Sequence, residues 1–433
     1  MRAAAGTIKQ KEPGDFWLRL DNAAKIYPAI QNAELTAVFR ISVVLTQRVN
    51  AKALLNAIAL LEHRFPYYKV NFKTGFFWYY LEASNSSTSL KADTDVPCRA
   101  FAKGDLIFRV LAKDKTISVE FSHILTDGAG GLEFLKSLLL TYFQALGVTI
   151  PNTVSYLRSG QIPSEREFED SYNRYFQEEI PFPKKIPKAF HLPFKLNSIP
   201  RFNVVRGVLS LEAISKKSKE YGVSITVFLV SIYLYALQDI YRSLSFLGKR
   251  KSKRTLRIEV PIDLRKIYPS ETMRNFSVYI MPGIDLELGD YTFEEIIKTV
   301  YHLMRLETDK KLINKIISRN VGAERNMLVK NIPLFIKSLI LYFKYKSSGT
   351  NLYSGVITNL GKISLPAEVS NLIDHFGFIP PPPDKNLKVN CGVAGFGNKL
   401  VLSFGNITNS KELEQRFFKI LIEHGIIVKM IHY

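Results

Sequence analysis

Residues 115–131 read KTISVEFSHILTDGAGG, and the fold follows from how this stretch is read. Ile117, Val119 and Phe121 alternate with Ser118, Glu120 and Ser122, the period of two that marks a half-buried strand. The same period puts His123 on the face of Ile117, Val119 and Phe121, pointing inward. Beyond the loop, Leu132, Leu135, Leu139, Tyr142, Phe143 and Leu146 recur at helical spacing. An imidazole thus leaves a strand end toward the interior, with the carboxylate of Asp127 four residues on at a tight turn. Gly128, Gly130 and Gly131 permit a backbone approach that side chains would block. This arrangement suits a general base in a tunnel better than a solvated surface histidine.

A neutral imidazole, with an ordinary pKa near ~6.5, accepts a proton from an alcohol or amine as it attacks an acyl carbon. Two roles are open to Asp127: a helix N-cap, and an ion pair that orients the loop without touching substrate. They are compatible. His63, His191, His302, His375, His424 and His432 lie in no recognisable catalytic or metal spacing.

The 433 residues suffice for two domains. Hydrophobic residues at 46% and charged residues at 23% give a soluble globular balance, and 12% aromatic content implies large cores rather than disorder. Cys98 and Cys391 lie far apart without a CxxC or Cys/His cluster, so no disulfide framework or structural metal site is indicated. A cytoplasmic location is expected, either free or peripheral to a membrane. The N-terminus MRAAAGTIKQKEPGDFW lacks the apolar core of a signal peptide, and the most apolar stretch, Val223–Leu237, falls short of the roughly 20 residues a span needs. Net charge is +20, with a dense run KRKSKRTLR at Lys249–Arg257. A solvated basic loop, attraction of a phosphorylated substrate and an anionic membrane surface all fit this charge. No motif of the common nucleic-acid modules is present, and no nucleic acid is expected.

To about residue 150 the chain alternates helical and strand patterns. A helix is predicted over 50–65, with Leu54, Ile58 and Leu61 on one face. An aromatic strand, FFWYYL, is predicted at Phe76–Leu81 after a turn at Lys73-Thr74-Gly75, and a hairpin joins Leu106–Leu111 to Thr116–Phe121. Residues 150–200 are rich in Pro and charge and read as a crossover linker with one short helix. The second part begins with a strand near 204–209, helices over 211–221 and 224–241, and a strand at 256–260. Amphipathic helices follow over 293–308 and 327–346, then a strand at 356–358. A Gly397-Asn398 hairpin is flanked by Val389–Phe396 and Leu400–Phe404, and a last helix runs from 410 to about 424. The expectation is an α/β (α+β) protein of two halves, 1–185 and 186–433, without a residue-level repeat.

HILTDG, with a strand before it and a helix after, resembles the signature of the His-x-x-x-Asp-Gly acyltransferases. These include chloramphenicol acetyltransferase, the alcohol acetyltransferases, the plant vinorine-synthase-like enzymes and the condensation domains of peptide synthetases. WLRLDNAAKIYP (Trp17–Pro28), RFPYYKVNFKTGFFWYYLE (Arg64–Glu82), VPIDLRKIYPSETMRNF (Val260–Phe276) and VITNLGKISLP (Val356–Pro366) resemble further blocks, in family order. Ser122 stands where peptide-forming condensation domains carry a second histidine, and the Asp-Phe-Gly-Trp-Gly block of the plant enzymes is missing. Both departures favour the alcohol acetyltransferase branch.

The resemblance implies two chloramphenicol-acetyltransferase-like halves, each a mixed sheet with flanking helices, forming a pseudo-dimer around a central tunnel. It implies His123 as general base, with Gly128 in the motif and Asp127 as a structural brace whose partner is Arg265. Thr358 occupies the family's serine position, where a hydroxyl can donate to the developing oxyanion; an ordinary β-branched strand residue is the alternative. Asn359 reads as a turn or backbone anchor. The implied co-substrate is acyl-CoA, with no bound cofactor and no metal, and the acceptor is a hydroxyl, less readily an amine. Lys249–Arg257 and Lys216–Lys219 are candidate phosphate contacts. The alternatives are a carrier-protein-dependent condensation enzyme, or a non-catalytic relative that binds a carrier protein or an anionic membrane surface.

Overall fold

The computed structural model describes residues 16–94, 96–178 and 186–431; segment 179–185, inside the expected linker and at the expected end of the first half, lies outside the described residues, as does His432. The first part contributes β1 (Trp17–Arg19), β2 (Val38–Leu45), helix α1 (Ala51–Glu62), β3 (Val70–Thr74), β4 (Tyr79–Ala83), β5 (Leu90–Ala92), β6 (Phe108–Lys113), β7 (Thr116–Ser122) and helix α2 (Gly128–Ala145). Asn50 caps α1 by accepting from the Ala53 N–H at 3.0 Å, and Leu54, Ile58 and Leu61 are its buried stripe.

The second part contributes β8 (Asn203–Ser210), α3 (Leu211–Glu220), α4 (Ile225–Ser243), β9 (Thr255–Asp263), β10 (Ser277–Ile280), β11 (Gly283–Asp285), α5 (Phe293–Glu307), α6 (Lys310–Arg325) and α7 (Leu334–Ser348). It continues with β12 (Gly355–Ile363), β13 (Ile373–Ile379), β14 (Val389–Phe396), β15 (Lys399–Asn406), α8 (Glu412–Glu423) and β16 (Val428–Ile431). Ser224 caps α4, whose Phe228, Tyr233 and Leu237 are fully enclosed against the larger sheet.

Each half is a mixed sheet with flanking helices. The first sheet has the order β13-β2-β7-β6-β5, and the second β10-β9-β12-β14-β15-β8-β16 with β11 on the edge of β9. Each has its own apolar core, so the two-halved α/β architecture is the one observed. Strand β13 crosses from one half to the other. β13 leaves the second half and pairs antiparallel with β2, from Ile373 opposite Leu45 to Ile379 opposite Arg40. The sheets touch there because Gly392 on β14 has no side chain; a Cβ would sit 2.2 Å from the Phe378 carbonyl oxygen.

Several sequence expectations need correction. β7 is buried on both faces, because Glu120 on its polar side is enclosed by ion pairs with Arg40 and Arg109, both at distances of 2.6–2.7 Å. The aromatic run FFWYYL is only partly a strand: β4 starts at Tyr79, and Gly75–Trp78 is the turn, closed by Gly75 N–H donating to the Trp78 carbonyl at 2.9 Å. The helix expected over 327–346 breaks at Pro333, which lacks an N–H and cannot continue a helix. β12 extends to Ile363 through an irregularity between Asn359 and Lys362. Helix α6 was not anticipated, since its charged sequence buries only a narrow stripe of Ile313, Ile317 and Val321.

Candidate active site

The His123–Asp127 loop joins β7 to the first turn of α2, and the neighbouring half clamps both. Gly130 is pressed against Thr126 and the Met273 carbonyl: a Cβ there would lie 2.2 Å from Thr126 Oγ1 and 2.4 Å from that oxygen. Thr126 Oγ1 and the Tyr68 hydroxyl both donate to the Met273 carbonyl, at 2.5 and 2.8 Å. Gly128 is less constrained, since a Cβ would first meet the Leu360 side chain at 3.0 Å.

Asp127 occupies both roles open to it in the sequence. Its Oδ1 accepts from the Gly130 N–H at 3.0 Å, capping α2. Its Oδ2 accepts from Arg265 Nη1 at 2.9 Å and from the Phe276 N–H at 2.8 Å. Burial opposes the carboxylate's charge, but the Arg265 guanidinium and these hydrogen bonds outweigh it and hold the carboxyl below its ordinary range. Both carboxylate oxygens are committed to these bonds. Arg265 is fixed in turn by Asp263 at 3.0 Å, by the Thr272 carbonyl at 2.8 Å and by the Arg274 carbonyl.

His123 lies between aromatic rings. It stacks on Tyr27 at 5.1 Å between centroids and tilts against Phe39 at 4.7 Å; Phe39 is the cross-strand partner of Phe121. The His123 backbone N–H donates to the Ala37 carbonyl at 2.9 Å. The Thr126 backbone and Asn275 both contact the ring. The Asn275 amide nitrogen donates to Asp21 Oδ2 at 3.0 Å and to the His123 carbonyl at 2.9 Å, so the amide oxygen is the atom that faces Nδ1, 3.5 Å away. An Nδ1–H tautomer would point its proton at this oxygen and leave the lone pair on Nε2. Burial lowers the imidazole pKa, outweighing the opposing pull of Asp127 and Asn275, so the ring is neutral near pH 7 and able to accept a proton.

His123 and Thr358 line one continuous cavity of about 3620 Å³, walled by residues of both halves. Single-ligand pockets usually hold roughly 300–1,000 Å³, so the space suffices for two substrates. Thr358 sits on β12 opposite Gly392, and its hydroxyl makes no hydrogen bond among the described residues. Asn359 anchors the turn: its amide donates to Thr226 Oγ1 at 3.0 Å and accepts from the Gly361 N–H at 2.8 Å. Glu259, on β9, faces the same space with a hydrogen bond to the Tyr353 phenol, and burial pushes its carboxyl up to about 7.

Neither Lys249–Arg257 nor Lys216–Lys219 lines the cavity; the basic side chains that do include Lys25, Lys188, Lys315, Arg319 and Lys344. Asp21, Tyr27 and Asn275 were not singled out from the sequence. Asp21 and Tyr27 lie in WLRLDNAAKIYP and Asn275 in the Arg-Asn step before Phe276, so the signal was present in the blocks that carried the resemblance.

No protein-family model matches the chain, and no curated protein matches it in sequence. Solved structures share its two-halved fold, that of acetyltransferases and condensation domains. TRI101 from F. sporotrichioides, solved with coenzyme A and T-2, is similar over 96% of this chain and 100% of its own, at a TM-score of 0.61 and 11% identity. The trichothecene 15-O-acetyltransferase TRI3 from Fusarium sporotrichioides is similar over 96% of both chains, with TM-score 0.61 and 11% identity. The condensation domain of the Monacolin K polyketide synthase MokA is similar over 94% of this chain and 96% of its own, with TM-score 0.57 and 11% identity.

Proposed function

We propose that the chain is an acyltransferase that moves an acyl group from a thioester, acyl-CoA foremost, to a hydroxyl acceptor. The observation that carries this reading is His123: a neutral imidazole whose Nδ1 is engaged by Asn275 and whose ring lines a cavity large enough for two substrates. In this reading Nε2 takes the proton of the acceptor hydroxyl as its oxygen attacks the thioester carbonyl. The tetrahedral adduct then collapses, the carbon–sulfur bond breaks, and the imidazolium returns the proton to the leaving thiolate. The Thr358 hydroxyl, uncommitted to other partners and facing the cavity, is the donor proposed for the oxyanion. Asp127 and Arg265 hold the loop and do not touch substrate.

The test is a mass-spectrometric screen of acyl-CoA donors against alcohol, amine and lipid pools, comparing the native chain with His123→Ala. The expected result is an ester formed by the native chain, at a rate lowered about 10²–10⁴-fold in the variant. Undiminished turnover by His123→Ala would overturn the assignment. Because condensation domains share the fold, a parallel arm offers the acyl group on a phosphopantetheine carrier protein; faster turnover there would move the donor from free coenzyme A to the carrier.

A further inference from the structure

Helix α7 is apolar on both sides. On its inner side Leu334 is buried, and Leu341 and Tyr345 line the cavity. On its outer side Phe335, Leu339 and Phe343, spaced by one turn each, are 67%, 55% and 62% exposed. Apolar side chains on both the inner and the outer side call for an apolar medium on each, and among the described residues nothing covers the outer one. The Gly75–Trp78 turn extends this patch, with Phe76 at 73% exposure.

Helix and turn are one unit. The Leu334 N–H donates to the Phe76 carbonyl at 2.9 Å. Lys337 buries its ammonium to donate to the Phe77 carbonyl at 3.1 Å and sits 3.4 Å over the Trp78 ring. The Tyr79 and Ser338 hydroxyls meet at 3.0 Å. The exposed phenylalanines are therefore held in place rather than left on a loose loop. Charge identifies what would cover them. Residues 325–367 contain no Asp or Glu, while Arg325, Lys330 and Lys346 in this segment are exposed. An apolar, aromatic face on a helix whose only charged side chains are Lys337, Lys344 and Lys346 is complementary to anionic headgroups over hydrocarbon.

We infer that α7 and the Gly75–Trp78 turn form a docking surface for a bilayer that contains anionic phospholipid. Docking itself does not depend on the acyl-transfer reading. Its consequence does: with the cavity directly behind α7, the surface would bring an amphiphilic acceptor or a long acyl chain from the lipid phase to His123.

Co-sedimentation with vesicles of phosphatidylcholine, alone or in equal parts with phosphatidylglycerol, tests the inference. The native chain is expected to bind the mixed vesicles and to lose most of that binding at salt on the order of 1 M, where the Debye length falls to about 3 Å. The double variant Phe335→Ser/Phe343→Ser is expected to lower binding at least about tenfold. Lys330→Gln and Lys346→Gln are each expected to lower it about fivefold on mixed vesicles. These side chains are exposed, so unfolding midpoints should match the native chain. His123→Ala should bind like the native chain, which separates failure of docking from failure of acyl transfer. No sedimentation of the native chain with mixed vesicles would overturn the inference. So would a native dimer that Phe335→Ser/Phe343→Ser converts to monomer, since a second copy would then be the cover.

Discussion

Replacing Arg265 by Leu would leave the Asp127 carboxylate enclosed between the two halves without a cation. The side chains of the pair are only 15% and 8% exposed. That exposure places the pair among buried ion pairs, where removing one partner costs about 3–5 kcal/mol, and not among surface pairs worth ~0–1 kcal/mol. Arg265→Leu also strands the carbonyls of Thr272 and Arg274, so the upper part of that range is expected. Asp127→Asn keeps an acceptor for Gly130 but turns an amide toward Arg265 and the Phe276 N–H, both donors. It too should cost several kcal/mol, and the double variant should fall short of the sum by about 1–3 kcal/mol. Urea unfolding of the four proteins at neutral pH, read from the midpoints at constant m, measures this. The pH dependence has a definite sign. Asp127 is held below its ordinary range, so its stabilisation is complete above the unfolded carboxyl value near ~4 and disappears as pH falls through the folded value. The native chain should therefore lose more stability on acidification than Asp127→Asn. A cost under about 1 kcal/mol for Arg265→Leu, or strict additivity, would refute the brace.

Asn275→Ala removes the acceptor that favours a protonated His123, so the acid limb of the pH–kcat/KM profile should move to lower pH; an unmoved limb would mean that the amide does not act on the titrating group. Gly130→Ala drives a methyl into Thr126 and the Met273 carbonyl and should destabilise by about 1–3 kcal/mol or more, seen as a lowered urea midpoint. Glu259 has its carboxyl pushed up to about 7 by burial, so the folded chain holds a proton that the unfolded chain releases, and stability falls as pH rises toward that value. Glu259→Gln should therefore melt higher than the native chain above pH 7 and match it at pH values below the ordinary carboxyl range. Equal melting shifts at both would exclude a titrating Glu259.

The parts of this protein that were legible in the sequence are those where one element decides its own geometry. The β7–loop–α2 unit was readable because period two, a tight glycine turn and period 3.6 follow one another within Thr116–Ala145. The Asp127–Arg265 contact, spanning 138 residues, came from resemblance alone, because nothing in local periodicity brings two such residues together. The tertiary decisions were hidden. Glu120 looks like a solvated strand residue until Arg40 and Arg109 enclose it. Phe76 looks like strand interior until the turn exposes it. Strand β13 carries Asp374, His375 and Gly377, which weaken its strand signal, and its partner β2 lies more than 300 residues earlier.

That pairing fixes how the two halves can move. β13 is a hydrogen-bonded member of the first half's sheet although it belongs in sequence to the second, and Gly392 brings it against β14. Parting the halves like jaws would mean stripping a strand from a five-stranded sheet. The cavity between the halves is accordingly spanned on one side by a shared strand. If the proposed acyl transfer holds, donor and acceptor would have to reach His123 with the two halves still joined by this strand.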